Sequence, residues 1–313
     1  MLPNLLLLIL SIALILFGAD RLTEGASVVS RRMGVSEMVV GLTVVSFGTS
    51  MPEFVVSMTG ALTGASDISV GNIIGSNLFN ALVIVGCSAL ACPIAIGNPT
   101  VRRDMPFALA STLLLVVFIS DTMLTDSQDN LLSRLDGFIL LLAFAIFMIL
   151  MFVNKGDDEE TAMPATPLWG ACLWIVVGLA GLVLGGELFV GNATALAREW
   201  GVSEMFIGLT IAAGGTSLPE LATSIVAARK GHSAMAIGNV VGSNVFNILF
   251  ILGACSLVSP LTVNSVSAVD LGLLVFSMVA LWIFAASDRR ISRTEGLTLM
   301  LIYVAYIVYR IFN

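Results

Sequence analysis

Gly48-Thr49-Ser50-Met51-Pro52-Glu53 returns as Gly215-Thr216-Ser217-Leu218-Pro219-Glu220, at an offset of 167 residues. With no gap, the same offset carries Gly71-Asn72-Ile73-Ile74-Gly75-Ser76-Asn77-Leu78-Phe79-Asn80 onto Gly238-Asn239-Val240-Val241-Gly242-Ser243-Asn244-Val245-Phe246-Asn247. Further out, Gly34-Val35-Ser36-Glu37-Met38 matches Gly201-Val202-Ser203-Glu204-Met205, and Gly41-Leu42-Thr43 matches Gly208-Leu209-Thr210. A match this long in one register is an internal duplication, so the two halves should share one architecture.

The surroundings of these motifs are apolar. Of 313 residues, 58% are hydrophobic and 11% charged, against about 25% charged in soluble domains, and the mean hydropathy is +1.02. A spanning helix needs about 20 apolar residues. That ruler gives ten candidate spans, at 2–20, 37–64, 69–91, 105–120, 134–153, 167–190, 204–228, 233–258, 266–286 and 294–312. The apolar start, Leu2 to Leu16, lacks a basic flank and runs into Asp20 and Arg21 without a cleavage signal, so it reads as a span rather than a leader.

Five spans per repeat is an odd number, so the second half must enter the membrane from the opposite side. The expected fold is an all-α integral membrane protein with ten transmembrane helices as two inverted five-helix repeats. Residues 1–153 form the first repeat, 154–166 a cytoplasmic linker, and 167–313 the second repeat. Threading the spans puts Arg21, Arg31, Arg32, Arg102, Arg103, Lys155, Arg229, Lys230, Arg289, Arg290 and Arg293 on one side. Only Arg134, Arg198 and Arg310 fall on the other. The asymmetry predicts a multi-pass protein of the cell (inner or plasma) membrane with both termini non-cytoplasmic.

On a helix, Ser46, Thr49, Ser50, Glu53 and Ser57 share one face, and Ala213, Thr216, Ser217, Glu220 and Ser224 repeat it. Glu53 and Asn80 are equidistant from the turn between their spans, as are Glu220 and Asn247, so all four should meet near mid-membrane. Ser76 with Asn80, and Ser243 with Asn247, add oxygens at i and i+4. Pro52 and Pro219 deny a donor to the carbonyls of Gly48 and Gly215, which should open each helix. The result is an all-oxygen cage for hard cations, without the His, Cys or Met that soft metals prefer. Two glutamates carry a charge that one Ca2+ or two Na+ would neutralise, so the two ions should compete.

Other features read as structural. Gly71, Gly75, Gly238 and Gly242 suit close helix packing, and Ser57 and Ser224 serve equally well as backbone partners. Asp20 and Glu187 correspond across the repeats near predicted span ends, as solvated caps or gate contacts. His232 is expected to face solvent, and Asp157 to Glu160 to be a solvated linker that supplies four of the charges behind the net −7. Cys87, Cys92, Cys172 and Cys255 have neither disulfide nor metal-ligand spacing.

Gly-Thr-Ser-Met-Pro-Glu and Gly-Thr-Ser-Leu-Pro-Glu, followed by Gly-Ser-Asn-Leu-Phe-Asn and Gly-Ser-Asn-Val-Phe-Asn, resemble the two α-repeats of the calcium:cation antiporter superfamily, in particular prokaryotic Na+/Ca2+ exchangers. The resemblance covers essentially the whole chain. It implies an ion-binding core of spans 2, 3, 7 and 8, with spans 1 and 6 sliding across it. Its binding positions fall on Ser46, Thr49, Ser50, Glu53, Ser76 and Asn80, and on Ala213, Thr216, Ser217, Glu220, Ser243 and Asn247, with Ser46 and Ala213 giving backbone carbonyls. Many relatives carry aspartate at the position of Asn247, so the asparagine argues against K+ cotransport.

The expected function is therefore secondary-active antiport of Ca2+ for Na+ by alternating access. The substrates are the two ions, the surroundings are the lipid bilayer, and no cofactor, nucleic acid or obligate protein partner is implied. A Ca2+/H+ antiporter on the same scaffold is the alternative. It is disfavoured because that branch resembles Gly-Asn-x-x-Glu, where this chain has Gly75. A cation channel is a remoter alternative that the inverted repeat opposes. An enzyme is not expected, because the only histidine, His232, lies in a loop.

Overall fold

The computed structural model describes residues 2–121, 129–153, 166–201, 213–263 and 266–312. In the first half the helices are α1 (Leu2–Met33), α2 (Glu37–Thr49), α3 (Met51–Leu62), α4 (Ser66–Ala91), α5 (Met105–Phe118) and α6 (Arg134–Val153). In the second they are α7 (Leu168–Glu199), α8 (Leu218–Arg229), α9 (Ser233–Val258), α10 (Ala268–Asp288) and α11 (Arg293–Phe312). Seven of the described helices are long and apolar enough to span a membrane, and α2 with α3 makes an eighth, bent by 51°. Of the remaining two expected spans, α5 has only 14 residues, although the π-helical stretch Thr100–Asp104 leads into it. The other, at 204–228, lies partly outside the described residues, as do the 154–165 part of the linker and its acidic run.

Burial identifies the middle of the bundle. The most apolar windows of α4 and α9 are 72% and 83% buried, whereas those of α1, α6, α7 and α11 are between 11% and 28% buried. Polar residues therefore sit in the central pair while apolar side chains cover the outside, as a lipid solvent requires. Phe47, Phe54, Phe144, Phe246 and Phe250 pack together around α9, with Phe246 and Phe250 stacked at 4.7 Å.

The connections follow the 167-residue offset. Gly34 and Gly201 follow α1 and α7 with φ of +61° and +77°, and Gly64 and Gly231 follow α3 and α8 with +76° and +85°. These left-handed conformations favour glycine. Two short antiparallel pairings cross between the halves: β1 (Ile94–Ala95) pairs with β4 (Arg290–Ile291), and β2 (Leu131–Leu132) with β3 (Leu261–Thr262). Three acids that could suggest cation ligands instead cap helices. Asp136, Asp270 and Glu295 accept from Ser133, Ser267 and Ser292 at the starts of α6, α10 and α11.

Two expected boundaries are corrected. α1 runs to Met33 rather than ending at 20, and α7 to Glu199 rather than 190. Charge does not end α1, because Arg21 pairs with Asp20 and Glu24 and lies over the rings of Trp174 and Phe17. α1 and α7 lie against each other at glycines: a Cβ on Gly18 would come within 2.7 Å of Gly178 O and Leu182 N. The glycines of α9 behave as the small-residue spacing predicts, whereas a Cβ on Gly71 or Gly75 of α4 would meet no described atom within 4 Å. A Cβ on Gly242 would stand 2.6 Å from Leu42 Cα and 2.8 Å from Ser46 Oγ.

Gly242→Ala must push α9 off α2, so a stability loss of about 1–3 kcal/mol is expected from overpacking. Gly272→Ala meets nothing within 4 Å and should melt like the wild type. Thermal unfolding of the purified variants in detergent compares them directly.

Candidate functional site

α2 and α3 part at Ser50, whose φ and ψ of −83° and 9° are not helical, and α8 begins after Ser217 at −90° and 9°. Both breaks lie two residues before a proline. Pro52 offers Gly48 no N–H, and the ladder resumes only with Phe54 N–H on the Ser50 carbonyl at 3.1 Å. In the second half it resumes with Leu221 N–H on the Ser217 carbonyl at 3.0 Å. The new helices start beside Glu53 and Glu220, so each carboxylate lies in a first turn, where the helix dipole favours negative charge.

The two breaks face each other. Ser50 donates to Glu220 Oε1 at 2.8 Å, and Ser217 donates to Glu53 Oε1 at 2.9 Å. Ser76 Oγ lies 3.4 Å from Glu53 Oε1. Each carboxylate is thus held by the serine of the other half, a crossing that the single-helix stripe does not reveal. Glu53 and Glu220 are each 1% exposed. Among the described residues neither has a basic partner.

A second layer fixes the first. Asn72 donates to the Glu53 carbonyl and to Ser57 Oγ, at 3.3 and 3.0 Å. Asn239 does the same for the Glu220 carbonyl and Ser224, at 3.3 and 2.9 Å. Ser57 and Ser224 therefore support the asparagines. The Thr49 hydroxyl lies 3.0 Å from the Val45 carbonyl and 3.2 Å from Asn239 Oδ1. Asn80 donates to Asn244 Oδ1 at 3.1 Å and Asn247 to Asn77 Oδ1 at 3.0 Å. Asn80 opens a π-helical stretch, Asn80–Ile84, and Asn247 lies in another, Phe246–Leu252. Such widened turns recur at functional sites.

Within the duplicated motifs six oxygens are left over. Glu53 Oε2, Glu220 Oε2, Asn80 Oδ1, Asn247 Oδ1, Ser243 Oγ and Thr216 Oγ1 are buried without a hydrogen-bond partner. Buried polar atoms are normally satisfied, so six in one motif pair make this the candidate site for a ligand. Ser46 is buried, but its hydroxyl donates to the Leu42 carbonyl at 2.7 Å and its own carbonyl accepts Ser50 N–H at 3.0 Å. Ala213 opens the short turn Ala213–Gly215, and its side chain lies outside the described residues.

A cavity of about 510 Å3 beside this cluster reaches Pro52, Thr216 and Pro219 between Val55, Val183 and Val190, with Glu187 on its wall. Asp20 is not only a solvated cap: about one-third exposed, it lies 2.5 Å from Lys230 Nζ and ties α1 to the end of α8. His232 does not simply face solvent either: its Nδ1 is 2.7 Å from Glu37 Oε1, which also accepts from Ser27. Sequence reasoning missed Asn72, Asn77, Asn239 and Asn244, although all four stand inside the duplicated motifs.

A polytopic helical membrane protein, with paired acids buried at facing helix breaks, belongs to the class of ion transporters rather than enzymes. The chain is a member of the sodium/calcium exchanger protein family, whose profile matches residues 3–153 and 170–312. It is 31% identical to the sodium/calcium exchanger MaX1 of Methanosarcina acetivorans, over 97% of each chain. It is 39% identical to the inner membrane protein YrbG of Escherichia coli, over 81% of this chain and 79% of that one. A solved structure of the sodium-calcium exchanger NCX_Mj, soaked with Na+ and Ca2+, superposes with a TM-score of 0.83 at 30% identity, covering 97% of both chains.

Proposed function

We propose that this chain exchanges Ca2+ for Na+ across a cell membrane, as a ten-span antiporter of two inverted five-helix repeats with both termini non-cytoplasmic. The observation that carries the reading is the set of six buried, unpartnered oxygens in the duplicated motifs, two of them on the carboxylates of Glu53 and Glu220. Ca2+ takes 6–8 oxygen ligands. Glu53 and Glu220 supply the charge, and Asn80, Asn247, Ser243 and Thr216 supply neutral oxygens. Ser50 and Ser217 hold the carboxylates, while Ser76 and Thr49 line the same cage; Ser46 and Ala213 are its backbone members.

Alternating access follows from charge. Two desolvated carboxylates at mid-membrane are costly, so the cage should change sides readily only when one Ca2+ or two Na+ neutralise it. Competition for the same oxygens then couples the ions. The cavity beside Glu187 provides one entry, and the Asp20–Lys230 contact closes the other. Lys230 corresponds to Thr63 in the first half, so this closure exists on one side only, the side that the basic residues mark as cytoplasmic.

Radiolabelled Ca2+ uptake into proteoliposomes loaded with Na+ tests the reading. Uptake should require internal Na+ and fall to background in Glu53→Gln and in Glu220→Gln; uptake that follows a proton gradient and ignores Na+ would replace it with Ca2+/H+ exchange. For the closure, Lys230→Thr should speed hydrogen exchange across Asp20 to Ser30 of α1. Exchange equal to wild type would mean that the pair does not hold that side shut.

A further inference from the structure

We propose that Asn77 and Asn244 are positioning residues that set the polarity of the cage, turning the amide oxygens of Asn247 and Asn80 inward; this rests on the antiport reading above. A backbone carbonyl can only accept, so Asn77 must turn its NH2 to the Asn244 carbonyl, 3.2 Å away. Asn77 Oδ1 is then the atom that meets Asn247, and it accepts from Asn247 Nδ2 at 3.0 Å. With its NH2 so committed, Asn247 must hold Oδ1 on the opposite edge of the amide, where it is one of the six unpartnered oxygens.

The other half repeats the relay. Asn244 Nδ2 faces the Asn77 carbonyl at 3.4 Å and Met278 Sδ at 3.5 Å. Asn244 Oδ1 accepts from Asn80 Nδ2 at 3.1 Å, which leaves Asn80 Oδ1 unpartnered. Two main-chain carbonyls thus dictate, through two amides, which atom positions 80 and 247 show a cation. All four asparagines are at most 2% exposed, so bulk water is not at hand to satisfy a reversed amide.

The relay also selects residue type. An ionised carboxylate at 247 would set an oxygen against Asn77 Oδ1, so an acceptor at 77 favours a donor at 247, which the amide supplies here. With asparagine at both 80 and 247, the charge of the cage is that of Glu53 and Glu220 alone. A merely structural asparagine would have no such link to the chemistry at 247, and this separates the two roles.

Ca2+ binding to the purified full-length protein, by calorimetry in Na+-free buffer, tests the relay through a double-mutant cycle. Asn77→Ala frees the Asn247 amide to rotate and should weaken binding about tenfold. In an Asn247→Asp background, where either edge of the side chain presents an oxygen, the same substitution should cause no loss. Asn77→Ala that binds like wild type, or that loses as much beside Asp as beside Asn, would overturn the inference. Should Asn77→Ala not fold, Asn244→Ala with and without Asn80→Asp puts the same question to the other half. Wild-type protein that binds no Ca2+ would instead overturn the underlying site reading, an outcome distinct from an unaltered variant.

Discussion

Two carboxylates buried beside each other, with no basic side chain among the described residues to pair with, are the constraint on which the rest depends. Left alone, Glu53 and Glu220 would cost several kcal/mol each as ions in a low-dielectric interior. The structure tolerates them by giving each carboxylate serine hydroxyls to accept from and by placing each in the first turn of a helix; in the exchange we propose, a cation completes the set. Stability and function draw on the same atoms. The helix breaks at Ser50 and Ser217, which would be liabilities in an ordinary bundle, bring the carboxylates together and aim the first-turn dipoles at them.

Contacts that cross between the halves make the cluster a single unit. Ser50 holds Glu220 and Ser217 holds Glu53; Asn77 and Asn244 exchange bonds with each other's backbone. Neither half could assemble the cage alone. α1 and α7 meet each other through glycine backbones, and Ala19, Leu22 and Ala26 of α1 pack against Val40, Ala227 and Met235 of the centre. Asp20 with Lys230 and Ser27 with Glu37 tie α1 to the centre by polar contacts, and Lys230 is a residue that the duplication did not preserve.

Much of this was legible in the sequence because duplication and helical periodicity are strong signals. The offset of 167 paired Glu53 with Glu220 and Asn80 with Asn247, and the prolines predicted where the helices would open. What was not legible depends on partners outside a residue's own helix. Hydropathy ended α1 at Asp20, because nothing local shows that Lys230 and Trp174 would compensate those charges. The acceptor of Ser50 is in the other half, where spacing on one helix carries no information. Asn77 and Asn244 stood in the motif, yet their role depends on which edge of an amide meets a carbonyl. Their recurrence as Asn-x-x-Asn in both halves was the one signal available.

Exchange as proposed requires a single cation site between Glu53 and Glu220, shared by the two ions. Anomalous diffraction from crystals soaked in Ca2+, with and without high Na+, would locate it. One peak is expected within about 2.3–2.6 Å of oxygens from both glutamates, fading as Na+ rises. A peak elsewhere, or one at this position that persists unchanged at saturating Na+, would contradict it.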